Sequence, residues 1–302
     1  MVEGVRGALD VLTTDTMVEG VHWDWKFSSP ADVGVKSLAV NLSDLASMGA
    51  EPRAALLSLC LRPAWPLPDA NAFLDAFAGS ARRHKVAVIG GNVTATPGPI
   101  SVTVTLTGNV RRRRVLTRGG GRPGDILYVS GSVGSALAGL LWLRARGERR
   151  DEPDDAGVAE CVERYRRPEA RLRAGMVVGR NRAATACMDL SDGLADAVRQ
   201  VAEASGTGAS VDAAALPITA AALDIFRRHD QDPVRSAVAG GDDYELLFAV
   251  APRRTRAFEA AWRQARGLAI SRIGSLTLEP GLRLVRDGRE EPLPEGFVHF
   301  QS

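Results

Sequence analysis

The sequence predicts an α/β (α+β) protein built from two units. Three observations carry that expectation. Short β-branched apolar runs alternate with amphipathic stretches of helical period. A basic, Gly-rich stretch from Arg111 to Gly124 interrupts that order and reads as a linker. The length, 302 residues, is long for one hydrophobic core and comfortable for two. The units are therefore 1–112 and 113–302.

In the first unit, Val11–Thr14 reads as a strand ending at Asp15. Ser29-Pro30-Ala31-Asp32 is a helix start, with a capping hydroxyl, proline in the first turn and a carboxylate at the positive end of the dipole. That helix runs to Met48 and stops at Gly49. Arg53–Leu61 is an apolar strand containing Cys60, and Asp69–His84 an amphipathic helix. Val86–Ile89 is a strand ended by Gly90-Gly91, and Ile100–Leu106 alternates as a half-buried strand does.

In the second unit, Ile126–Ser130 is a strand, and the Gly131–Gly134 turn opens a helix from Ser135 to Arg146. The charged stretch from Glu148 to Ala156 reads as a solvated loop and Pro168–Val178 as a helix. Thr185–Met188 is a strand, Ser191 caps a helix to about Ala204, and Ser210-Val211 and Leu246–Val250 begin further strands.

Composition excludes several classes. Net charge is only +2, so no overall field favours nucleic acid. No apolar run approaches the ~20 residues of a membrane helix. The start does not resemble a signal peptide, so the expected compartment is the cytoplasm. Cys60, Cys161 and Cys187 are an odd, scattered set without CxxC spacing, which argues against a disulfide framework or zinc. There is no GxxxxGK[ST] and no HRDxxxxN, so this is neither a P-loop enzyme nor a protein kinase. Among 38 basic residues only Lys26, Lys36 and Lys85 are lysines.

Acidic residues recur at strand ends and helix starts: Thr13-Thr14-Asp15, Asn41-Leu42-Ser43-Asp44, Asp189-Leu190-Ser191-Asp192 and Asp242-Asp243-Tyr244-Glu245. Each is pinned to apolar neighbours. If they converge, their repulsion demands protons or cations, and carboxylates with hydroxyls are the hard donors that Mg²⁺ takes alongside phosphate and water. Singly, Asp192 reads as a helix cap, Asp44 as an exposed helix residue and His22 as a packing histidine. The Ser130–Gly134 turn reads as a structural turn in a place where phosphate can also bind. Spacing alone leaves convergence open.

The ordered motifs narrow this. TTDTMVEGVHW (13–23), SPADVGVKSLAVNLSDLASMGAEPRAALLSL (29–59), IGGN (89–92), LTRGGGRPGDILYVSG (116–131), RPEARL (167–172), MDLSDGLADA (188–197), AGGDDYELLF (239–248) and GFVHF (296–300) together resemble the thiamine-monophosphate kinases across almost the whole chain. The resemblance implies an ATP- and Mg²⁺-dependent enzyme with two domains, dimerising through a β-barrel that the amino-terminal domains build. It implies several Mg²⁺ ions at Thr13, Thr14, Asp15, Asp44, Asp189 and Asp192. ATP contacts fall at Gly91, Asn92, Arg118 and Ser191, and thiamine monophosphate contacts at His22, Glu245 and Phe297. No general base or nucleophile is implied. Three departures from the family pattern stand out. Residues 1–10 contain no GDDAA-like acidic loop, which leaves either a truncated start or a reduced metal site. The usual GGD reads Gly90-Gly91-Asn92, and Val298 replaces an aspartate. A binding homologue without catalysis and a sibling ATP-dependent enzyme are the alternative readings.

Overall fold

The computed structural model describes residues 4–147, 152–265 and 269–296. The first unit contains β1 (Ala8–Val18), α1 (Pro30–Ser47), β2 (Glu51–Leu61), α2 (Leu67–Arg83), β3 (Ala87–Ala95) and β4 (Ser101–Arg111). Its strands form one sheet in the order β1-β4-β2-β3. The second unit opens with β5 (Ile126–Ser130), α3 (Ser135–Arg146), α4 (Ala156–Arg166) and α5 (Leu172–Asn181). There follow β6 (Ala184–Asp189), α6 (Leu194–Ser205), β7 (Gly208–Asp212), α7 (Ala220–Arg228), α8 (Pro233–Ala239) and β8 (Leu246–Val250). It closes with α9 (Pro252–Gln264), β9 (Ile270–Thr277), β10 (Leu282–Arg286) and β11 (Arg289–Pro292). Its seven strands run in the order β11-β10-β7-β9-β5-β8-β6.

Helix α1 is the axis of the molecule. Ser29 caps it through a reciprocal capping box with Asp32. It is buried on nearly every side, with Leu38, Leu42 and Leu45 wholly enclosed. One side packs on α2, β1 and β4, the other on α5 and β6. A helix buried all round, rather than along one stripe, is what placement between two layers requires.

Several sequence expectations need correcting. β1 does not stop at Asp15: it pairs with β4 from Ala8↔Arg111 to Val18↔Ser101, so a continuous ladder carries it three residues further. β3 does not end at its glycines. It runs through them beside β2, with a register shift at Ala55/Leu56 that leaves Ile89 as the extra residue. Glycine is required there by proximity, since a Cβ on Gly91 would lie 1.8 Å from the Leu57 carbonyl oxygen. Asp155 caps α4, a helix hidden behind the charged loop, and α5 begins at Leu172 rather than Pro168 because residues 168–171 run in irregular backbone that carries Arg171 to a buried partner. Ser191 does not cap α6; Gly193 stands at that position and no side chain bonds the helix start. The four-stranded sheet is open in the single chain, so no barrel is closed within it. Among the described residues no helix is long and apolar enough to cross a membrane.

Candidate active site

A cavity of about 410 Å³ lies between the two units. Strand alternation on β1 turns Asp15 and Met17 toward it, and α1 supplies Val40 and Asp44 one turn apart. The β6–α6 loop brings Asp189, Ser191 and Asp192, and the α8–β8 loop brings Gly241, Asp242 and Tyr244. These two loops are knitted by backbone bonds from Asp242 N–H to the Ser191 carbonyl, Tyr244 N–H to Leu190, and Leu190 N–H to Glu245. The four aspartates expected at the metal site therefore line one cleft.

Their electrostatics reflect crowding. Burial, then the charge of Asp44, push Asp15 up to about 7. Burial and Asp44 likewise push Asp189 up to about 7, although Ser43 Oγ donates to it at 2.7 Å. Asp44 is also raised, by burial, against the lowering effects of the Thr13 hydroxyl, Asp15 and Arg118. The Thr13 hydroxyl donates to Asp44. Such a set is incompletely neutralised by the protein and suits a cation brought from outside. Among the described residues no three acidic, histidine or cysteine side chains form a ready cage around one ion.

The other expected residues divide. Ser191 and His22 line the cavity. His22 Nδ1 accepts from the Val18 N–H at 2.9 Å, which fixes the ring and leaves Nε2 as the donor of the neutral form. Arg118 is exposed and donates to Gln200 at 2.6 Å, near enough to Asp44 to be felt by it. Thr14 departs from expectation. It faces the opposite side of β1 from Thr13 and Asp15, and its hydroxyl pairs with Thr105 at 3.0 Å. Gly91 and Asn92 lie on the exposed far edge of the sheet. Asp15, Val104, Leu57 and Gly91 occupy one row across four strands, so Gly91 is three strand spacings, roughly 14 Å, from the acidic cluster. Phe297 lies outside the described residues.

Glu245, expected at the acceptor, lies deeper than the other site residues. It is fully buried and does not line the cavity. Arg171 grips it with Nε at 2.8 Å and Nη2 at 2.6 Å, Arg164 adds a bond at 2.9 Å, and Ser130 Oγ one at 2.6 Å. It is a packing hub that joins β5, α4 and the lead into α5. Gly131 is glycine partly for this reason: its φ is +58°, and a Cβ there would lie 2.0 Å from the carboxylate.

Asp243, one of the acidic residues expected near a cation, has a structural task instead. It accepts from the Gly134 N–H at 2.6 Å and the Ala136 N–H at 3.1 Å, supplying from another loop the cap that α3 lacks locally. The strand–turn–helix that could have held phosphate is thus filled by the protein's own carboxylate. Asp243→Ala is expected to cost about 2 kcal/mol, because two buried N–H groups lose their partner. Urea unfolding would read this as a lower midpoint at unchanged slope.

The two sheets and the acidic cleft between them define the class first. The AIR synthase related protein N-terminal domain model matches residues 5–110, and the corresponding C-terminal domain model matches residues 122–287. Within that class, the chain is 38% identical over 295 residues to the thiamine-monophosphate kinase of Salmonella typhimurium, covering 96% of this chain and 86% of that protein. It superposes on the crystal structure of thiamine-monophosphate kinase from Stenotrophomonas maltophilia K279a with a TM-score of 0.86 at 34% identity, covering 96% of this chain and 89% of that one. It superposes on AaThiL complexed with AMPPCP and TMP with a TM-score of 0.85 at 29% identity, covering 99% and 89%. The chain belongs to the thiamine-monophosphate kinase family.

Proposed function

We propose that the cleft transfers the γ-phosphoryl group of ATP to the phosphate of thiamine monophosphate in one in-line step, without a phosphoenzyme. The overall activity is that of the family: thiamine monophosphate and ATP give thiamine diphosphate and ADP. The observation that carries the finer reading is the convergence of Asp15, Asp44, Asp189 and Asp192 on one cavity, where the carboxyls of Asp15, Asp44 and Asp189 are raised.

An acceptor oxygen attacks the γ-phosphorus while the bond to the β-phosphate oxygen breaks. The acceptor is already substantially dianionic near neutral pH, with a second pKa of about 6, so no general base is needed. The task is to hold two polyanions together. Asp15, Asp44, Asp189 and Asp192, with the Thr13 hydroxyl, would hold Mg²⁺ ions, whose positive charge would offset that of the phosphate oxygens. Ser191 orients ATP, and Arg118 adds positive charge at the mouth. His22, fixed by Val18, presents Nε2 to the acceptor.

Gly91 and Asn92 touch ATP in a two-copy barrel. Closing the open sheet with a second chain would also cover Leu12, Leu56 and Val93, which the single chain exposes. Light scattering should then give twice the chain mass. The amino-terminal unit 1–112 carries dimerisation, and 113–302 completes the site.

Purified protein with ATP, Mg²⁺ and thiamine monophosphate should form ADP and thiamine diphosphate in equal amounts. Calorimetric binding of both substrates by the folded chain, with no product at saturation, would replace this reading by that of a non-catalytic binding homologue.

A further inference from the structure

Lys36 is almost fully buried, and its ammonium joins three groups from different parts of the chain. Nζ lies 2.9 Å from Asp242 Oδ2 and 3.4 Å from the His22 carbonyl, and 4.3 Å over the centre of the Tyr165 ring. Asp242 and His22 line the cavity from opposite units, and Tyr165 lines it from α4. In a chain that uses arginine for nearly every cation, a lysine here fits the space. A compact ammonium with three donors satisfies a carboxylate, a carbonyl and an aromatic face together, where a planar fork does not.

The loop it holds is strained. Asp242 has φ +69° and Tyr244 φ +49°, left-handed values that residues with a Cβ adopt at a cost. The Tyr244 hydroxyl donates to the other Asp242 oxygen at 3.0 Å, so both carboxylate oxygens are tied. Lys36, Val40 and Asp44 follow at four-residue intervals along one face of α1. Lys36 therefore stands about 12 Å along the helix from Asp44. His22, Leu140, Arg144 and Tyr165 line that cavity.

We propose that Lys36 is a positioning residue for the acceptor: through Asp242 and His22 it clamps the two units together at the acceptor end of the cleft. This rests on the kinase reading above. It acts on the acceptor pocket through the Asp242 carboxylate and the His22 carbonyl, while the Asp242 N–H keeps its separate backbone bond to Ser191 on the nucleotide side.

The test is a double-mutant cycle in the full-length protein with Lys36→Met, Asp242→Asn and the two combined. Its readouts are the calorimetric Kd for thiamine monophosphate and the separate KM values for both substrates. Each single change is expected to raise the acceptor Kd and KM about tenfold, with the KM for ATP moving less than about twofold. The combined variant should be no worse than the weaker single variant, because the two residues act as one unit. It also leaves no buried ion unpaired, so it keeps a folded comparison even if a single variant melts early. Losses that multiply, an unchanged acceptor affinity, or equal weakening of ATP would overturn the clamp. A wild-type protein that forms thiamine diphosphate while the variants keep its acceptor KM sinks the clamp alone. A wild-type protein that binds the acceptor with pair-dependent affinity but never forms product sinks the kinase reading and leaves the clamp standing.

Discussion

Asp44→Asn is expected to lower kcat by about 10³-fold while leaving the substrate-free protein at least as stable as before. The loss follows from geometry, since Asp44 sits among the other carboxylates and its charge is a large cause of the raised values at Asp15 and Asp189. The stability result follows from the same repulsion: without a cation the cluster opposes folding, and removing one charge relieves it. Stability should also vary with pH. In the folded chain Asp15 and Asp189 keep their protons to about 7, against an ordinary value of 3.8. Between those values the folded chain binds more protons than the unfolded one. The contribution of these groups to stability is therefore fullest below about 3.8 and falls as pH rises to about 7. Thermal melts of the metal-free protein should show this decline in the wild type and a flatter profile in Asp44→Asn. Added Mg²⁺ with a non-hydrolysable ATP analogue should stabilise the wild type more than the variant. An activity within tenfold of wild type would remove Asp44 from the metal site.

Arg171→Ala is expected to destabilise the protein by about 3–5 kcal/mol, the usual cost of stripping the partner from a buried charge. Glu245 would keep Arg164 and Ser130 but lose its two-pronged contact. Arg164 is partly exposed and also reaches Glu160, so it replaces that grip poorly. The combined Arg171→Met, Glu245→Gln variant should recover much of the loss, because it removes the buried charge together with its partner. Denaturant titration gives both numbers. A loss below about 1 kcal/mol for Arg171→Ala would show that Arg164 and Ser130 suffice.

The elements legible in the sequence were those with local signals. The box at Ser29–Asp32 fixed the start of α1, alternation showed β4, and β5, α3 and β8 fell on their expected residues. The misreadings were those in which a distant partner overrides local preference. Gly90-Gly91 looks like a strand end, yet β2 supplies a ladder that carries the chain through it. Charge before Asp155 hid α4, whose burial depends on α3 packing against it.

The site divides along the same line. By itself the sequence determined the family, the two-unit α/β order and the acidic side chains available, because motif identity and hydrophobic period are local properties of the chain. Only the tertiary structure decided that Asp15, Asp44, Asp189 and Asp192 meet, that Thr14 turns to the other face of β1, and that Glu245 is locked inside by two arginines. Only it showed that Lys36 spans both units. Those facts depend on strand alternation, on burial and on which distant cation reaches which carboxylate. Charge repulsion and desolvation act through space, and spacing along a chain does not record them.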